Sequence, residues 1–270
     1  MEKKNAASNI LKGLVIGSAM LIPGVSGGTT AIILDVYDDL ISSISSFFKE
    51  TKKSLYTLIT VGIGAVLGIL LFSRAILYVT NKFYVPMMFL FLGAVLGSVP
   101  MLYKKADIKK FNAGLIIYPL IGAACVYLLE LIPKDSLKIP VGAGFYSYLI
   151  VILAGIVLSI GLVLPGISVS YMLLILGIYE TTLSSIENMQ YMFLLSLLFG
   201  VALGVVLTTK LLEYTMKMYP SQTYLLIIGF VLASLKEVFP GIPYGMDIVS
   251  SLITLIAGFS AVFYLSKISD

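Results

Sequence analysis

The sequence predicts an all-α polytopic membrane protein, one membrane domain over residues 1–270, built from two inverted repeats that each hold a re-entrant helical hairpin and three transmembrane helices. Three observations predict it. Hydrophobic residues make up 59% and charged residues only 12% of the chain, with a mean hydropathy of +1.04, against about 25% charged in an ordinary soluble domain. The second half of the sequence repeats the first. Most of the lysines fall on one side of the predicted membrane.

The repeat is read by sliding the chain over itself by 142 places, which sets Gly13 to Ile44 against Gly155 to Ile186 with 11 of 32 positions identical. Pro23 meets Pro165, Gly24 meets Gly166, Ser26 meets Ser168 and Tyr37 meets Tyr179. At an offset of 136 the match continues, Gly64 with Gly200, Gly68 with Gly204, Arg74 with Lys210, Tyr78 with Tyr214 and Gly93 with Gly229. Shared apolar bias does not produce a Pro-Gly-x-Ser string and a Tyr-acid pair in one register, so duplication is the better reading. Repeat one covers 10–132 and repeat two 144–268, joined by a Pro- and Lys-containing linker from Pro133 to Gly144.

Each repeat opens on an apolar stretch broken by Pro-Gly-x-Ser, leaving arms of about 12 to 15 residues, too short to span a bilayer at 1.5 Å per residue. These are read as re-entrant hairpins, over 12–42 and 144–184. Three full-length spans follow in each copy, at 54–80, 84–103 and 112–132, then at 190–216, 221–238 and 247–268. Three crossings per copy turn the second upside down, a design known among secondary transporters with broken helices near the midplane. With the N- and C-termini cytoplasmic, the loops on the inner face carry twelve lysines and the outer face four, namely Lys82, Lys134, Lys138 and Lys236, as the positive-inside rule requires. The first apolar stretch is not a cleavable signal peptide, because its motif recurs inside the chain.

Composition also excludes chemistry. The chain has no histidine, which removes phosphohistidine intermediates, His bases and His-ligated metals. Cys125 is the single cysteine and reads as an apolar packing residue. No nucleotide loop, paired metal-ligand cluster or basic stripe is present, so neither cofactor, metal nor nucleic acid is expected, and without a nucleophile–base pair the protein is read as no enzyme.

At a hairpin tip the backbone must turn inside the membrane, which is tolerated only where it is buried in protein or lines a wet cavity. Pro23 and Gly24, and Pro165 and Gly166, are the predicted breaks. Ser26 is a natural cap for the second arm, Gly27 and Gly28 allow close backbone approach, and free N–H groups at such a helix start attract anions, phosphate above all. Thr29, Ser168 and Ser170 complete the candidate phosphate ligands. Arg74, the only arginine, lies inside an apolar run with Lys210 as its counterpart; a charge at depth is costly and usually faces a partner, substrate or water. Guanidinium suits phosphate. Asp35, Asp38 and Glu180 are the candidates for proton or sodium coupling. Each has a plainer reading: a Pro-Gly-x-Ser that merely ends a helix, cations that snorkel to the interface, carboxylates solvated there. The tyrosines, Tyr37 included, read as belt or packing residues, and the pairs Gly64/Gly68, Gly93/Gly97 and Gly200/Gly204 as helix contacts.

The string Gly17 to Thr29 (GSAMLIPGVSGGT), followed by Tyr37-Asp38, the lone Arg74 and a second Pro-Gly-Ile-Ser at 165 to 168, resembles the PopT family of polyprenyl-phosphate transporters over essentially the whole chain. The resemblance implies a multi-pass protein of the bacterial plasma membrane that returns undecaprenyl phosphate from the outer to the inner leaflet, recycling the carrier for wall polymers. The second tip has Val169-Ser170 where the first has Gly27-Gly28, so the headgroup role carries over more firmly to the first. A transporter of a small soluble anion would share the inverted hairpins, and stays open as the alternative.

Overall fold

The computed structural model describes residues 6–22, 25–108, 113–137, 139 and 144–268. Among them are twelve α-helices and no strand. Six are long and apolar enough to cross a membrane: α4 (Thr51–Lys82), α5 (Tyr84–Lys105), α7 (Phe145–Val163), α10 (Tyr191–Met218), α11 (Pro220–Val238) and α12 (Met246–Ile268). α6 (Gly114–Glu130) is apolar but has 17 residues, about 26 Å of helix. This is a multi-pass membrane protein. Its long helices turn leucines outward, among them Leu70 and Leu71 on α4, Leu198 on α10 and Leu252 on α12, a surface suited to lipid and unsuited to water.

The helices of the two broken stretches differ from expectation in two respects. α1 (Ala6–Ala19) is an arm of 14 residues as predicted, but α7, its counterpart, has 19, about 29 Å, because its apolar run continues without a breaker from Gly144 to Leu164. Each expected second arm is itself broken in two, into α2 (Gly27–Ile33) and α3 (Tyr37–Ser45), and into α8 (Val169–Ile175) and α9 (Tyr179–Glu187), the last two bent by 107°. The cause is local. Asp35 has φ 50° and Gly177 φ 68°, a left-handed residue that ends a helix and is tolerated best by Gly, then by Asn or Asp. These two positions are 142 apart, as are the caps: the Ser26 and Ser168 side chains accept hydrogen bonds from the N–H groups of Thr29 and Tyr171. α4 gives way to α5 at Phe83 and α10 to α11 at Tyr219, with backbone angles of −128°, 45° and −134°, 58°. Pro23 and Gly24 lie outside the described residues.

Four tightly packed helix pairs build the body: α1 with α4, α7 with α10, α5 with α12, and α6 with α11. Glycine makes the approach possible. A Cβ on Gly13 would lie 2.1 Å from the Val61 carbonyl oxygen, and one on Gly229 2.1 Å from that of Pro119, so the backbones meet without intervening side chains. Gly93 faces Leu255 and Phe259 while Gly97 faces Phe259 and Val262, so α5 and α12 run in the same direction. α1 and α4 are likewise parallel, Gly13 facing Val61 and Gly17 facing Ala65. Hydrogen bonds from Asn9 to Thr60 (3.1 Å) and between Ser159 and Thr208 (3.3 Å) stitch the first two pairs.

Candidate functional site

The two tips meet. A Cβ on Gly28 would stand 3.5 Å from Pro165 Cα, and a cavity of about 580 Å³ opens between them. Val25, Ser26, Gly27 and Gly28 wall it from the first tip, and Ile167, Ser168, Val169 and Ser170 from the second. Apolar side chains of α1, α3 and the end of α7, with Val205 and Thr209 of α10 and Glu237 of α11, close the rest. Two serine-capped helix starts therefore share one chamber.

Each tip is held by its own chemistry. Ser26 Oγ accepts the Thr29 N–H at 3.1 Å and lies 2.8 Å from Thr29 Oγ1, while Thr30 Oγ1 donates to the Ser26 carbonyl at 3.0 Å. Thr29 thus supports the cap and does not line the chamber. Gly166 takes φ 80°, and a Cβ there would lie 2.2 Å from the Phe230 carbonyl oxygen, so the second break requires glycine for both conformation and space. Pro165 beside it is fully buried.

Across the chamber the Tyr37 hydroxyl donates to the Val163 carbonyl at 2.9 Å. Tyr37 lines the cavity, a part that its residue type does not announce. Near it, Lys105 pairs with Asp35 at 2.5 Å and with Asp38 at 2.8 Å, and Tyr224 donates to Asp38 at 2.9 Å. Lys12 donates to the Asp35 carbonyl at 3.2 Å. The α2–α3 break is thereby satisfied by lysines. The α8–α9 break is satisfied by linker backbone: the N–H groups of Asp135, Leu137 and Ile139 donate to the carbonyls of Leu174, Ile175 and Leu176.

The structure divides the sequence-predicted residues into three groups. Ser26, Gly27, Gly28, Ser168 and Ser170 line the chamber. Asp35 and Asp38 lie outside it in the Lys105 cluster, and Glu180 is exposed away from it. Arg74 and Lys210 are exposed on α4 and α10 and are not among the lining residues. They belong to elements that build the chamber's surroundings nonetheless. Ile76, two residues beyond Arg74, and Val25 of the first tip both pack on the apolar cluster that contains Ile22, and Lys210 directly follows the lining residue Thr209. Among the lining residues that went unnoticed in the sequence, one is charged, Glu237 near the end of α11. Its position beside Lys236 reads as an interfacial charge pair, and only the packing of α11 against the second tip, where Gly166 meets Phe230, brings it to the chamber.

No group of three or more metal-ligating side chains occurs among the described residues. No solved structure matches the chain. A polyprenyl-phosphate transporter of Staphylococcus aureus is 34% identical, over 97% of this chain and 96% of the relative, and one of Vibrio cholerae is 28% identical, over 87% and 78%. Residues 16–251 match the model of the VCA0040-like family, described as undecaprenyl phosphate translocase-like. With almost its whole length matched in this way, the chain belongs to the VCA0040-like, undecaprenyl phosphate translocase-like family.

Proposed function

We propose that this protein translocates undecaprenyl phosphate across the bacterial plasma membrane, returning the lipid carrier from the outer to the inner leaflet by alternating access around the chamber between the tips. The observation that carries the reading is the chamber itself, shared by two capped serines 142 residues apart, in a chain whose relatives are named polyprenyl-phosphate transporters.

In this reading 10–132 and 144–268 are inverted repeats with both termini cytoplasmic. Two features support inversion. Two of the four helix pairs are swapped between the copies, the second span of each packing on the third span of the other. α5 also runs with α12; in this reading the chain reverses at Phe83, at Tyr219 and between α11 and α12, which sets α10 along α12 and opposite to α4.

The headgroup phosphate enters the chamber and is held by the hydroxyls of Ser26, Ser168 and Ser170 and by the first N–H groups of α2, which helix geometry leaves without intrahelical partners. α2 and α8 have seven residues each, so little macrodipole accumulates and these individual donors do most of the binding. When the Thr29 hydroxyl is the donor of the Ser26–Thr29 pair, the Ser26 O–H is free to face phosphate. Arg74 and Lys210, outside the chamber, attract the headgroup at the lipid boundary while the prenyl tail stays in hydrocarbon. No lysine or arginine lines the chamber among the described residues, and its walls are largely apolar, which suits a lipid better than a small soluble anion.

The test is transport of a short-chain prenyl phosphate in proteoliposomes. Removing two neutral hydrogen bonds with Ser26→Ala and Ser168→Ala together should weaken binding by about tenfold or more. Unchanged transport by the double variant moves the site elsewhere; competition by inorganic phosphate in place of prenyl phosphate favours the soluble-anion reading.

A further inference from the structure

A chamber that receives phosphate should not, on electrostatic grounds, present a carboxylate, yet Glu237 lines this one. Among the described residues no hydrogen bond or ion pair engages the Glu237 carboxylate. The charges that face it are Glu130 of α6 and its neighbour Lys236. Lys236 is committed to Glu130 by a short ion pair and lies over the Tyr127 ring, and makes no direct ion pair with Glu237. The other titratable side chain of the chamber is Tyr37, whose hydroxyl is given to Val163.

Glu237 is itself exposed, but ionised beside a phosphate it would place like charges together, with no cation in the chamber walls to offset them. Protonation removes the conflict and turns the group from an acceptor into a donor. The other acidic candidates are placed differently, Asp35 and Asp38 being paired with Lys105 and Glu180 lying off the chamber.

We propose that Glu237 takes up a proton together with the lipid phosphate and releases it with the phosphate on the opposite side, so that translocation is coupled to protons. The inference rests on the substrate reading given above. The carboxylate accepts a proton from water on the side of entry, and its O–H donates to a phosphate oxygen. When the chamber opens to the other face, the lipid leaves and the proton returns to water there. No covalent bond to the lipid forms or breaks, and one proton moves with each phosphate.

The experiment uses the purified full chain in detergent, farnesyl phosphate as probe, and calorimetry in buffers of different ionisation enthalpy, from about pH 5.5 to about pH 8.5. The titration of the probe's own phosphate is common to all variants. The wild type should take up about one more proton per phosphate than E237Q, and above the carboxylate's titration its affinity should fall about tenfold further per pH unit than that of the variant. E237D should keep the wild-type behaviour. Binding with equal proton uptake and equal pH slopes in wild type and E237Q overturns the coupling alone. Absence of binding by wild type overturns the substrate reading and the coupling with it. If E237Q is not monodisperse, proton uptake by the wild type decides, and uptake no greater than the probe's own titration supplies overturns the coupling.

Discussion

The Tyr37 hydroxyl and the Val163 carbonyl are joined by a 2.9 Å hydrogen bond across 126 residues of sequence. Tyr37 opens α3, beyond the first tip, and Val163 closes α7, just before the second. Val163 precedes a break in its helix, so its carbonyl has no partner in a following turn and the phenol supplies one. Two tips that each interrupt a helix are thereby locked to one another through a backbone group that the interruption itself set free.

Tyr37→Phe removes that donor and leaves a buried acceptor unpaired. The expected cost is about 1–3 kcal/mol, read as a lower unfolding temperature in detergent together with reduced transport. An unfolding temperature equal to that of wild type would show that the bond contributes nothing to holding the tips.

Lys105 has a comparable part on the other side of α3, where it keeps two carboxylates, Asp35 and Asp38, in one place. The three side chains are between a quarter and a third exposed, so the pairing is neither a free surface bridge nor a fully buried one. Lys105→Ala should destabilise by roughly 1–3 kcal/mol, while Asp35→Asn with Asp38→Asn in that background should recover part of the loss. A double-mutant cycle checks this, and additive effects would show the cluster to be uncoupled.

Glycines at the two tips should respond differently to the same substitution. Gly28→Ala adds a methyl in ordinary contact with Pro165 at 3.5 Å, and alanine is the better helix former, so stability should change by less than about 1 kcal/mol. Gly166→Ala meets the Phe230 carbonyl at 2.2 Å in a left-handed conformation and should cost roughly 2–4 kcal/mol. Expression and thermal stability of the two variants, compared side by side, decide the matter; equal stability would contradict the described second tip.

Arg74 is exposed and makes no interaction that its removal would break among the described residues, so Arg74→Ala should insert and unfold like wild type. Its transport should nevertheless fall by about tenfold or more, with Arg74→Lys partly active, because a point charge replaces a bidentate fork. Wild-type transport by Arg74→Ala would remove the cation from the proposed path.

Much of the fold could be read along the chain because it depends on local quantities. Hydropathy and helix length located five of the six membrane-length helices to within a few residues, whereas the span expected at 112–132 is the 17-residue α6 and the short arm expected before the second tip is the 19-residue α7; Pro-Gly-x-Ser located the tips, since apolar transfer and helix capping act within a turn or two of sequence. The second breaks, at Asp35 and Gly177, were also local in origin, but an aspartate or glycine in a helical run is a weaker signal than a proline. Which side chains meet was decided only by packing. Each seven-residue helix followed by a left-handed residue resets the rotational phase of the next, so the face on which Asp38 or Tyr37 emerges cannot be counted from the arm that precedes it. Likewise Glu237 reaches the chamber because α11 packs against the backbone of Gly166, and Arg74 and Lys210 stand outside it on exposed flanks of α4 and α10, whose glycine faces turn inward against α1 and α7. Sequence by itself determined a membrane protein with two interrupted apolar stretches; the tertiary structure alone decided that the interruptions share a chamber holding a carboxylate and no cation among the described residues, because close helix contacts, not hydropathy, set which faces turn inward.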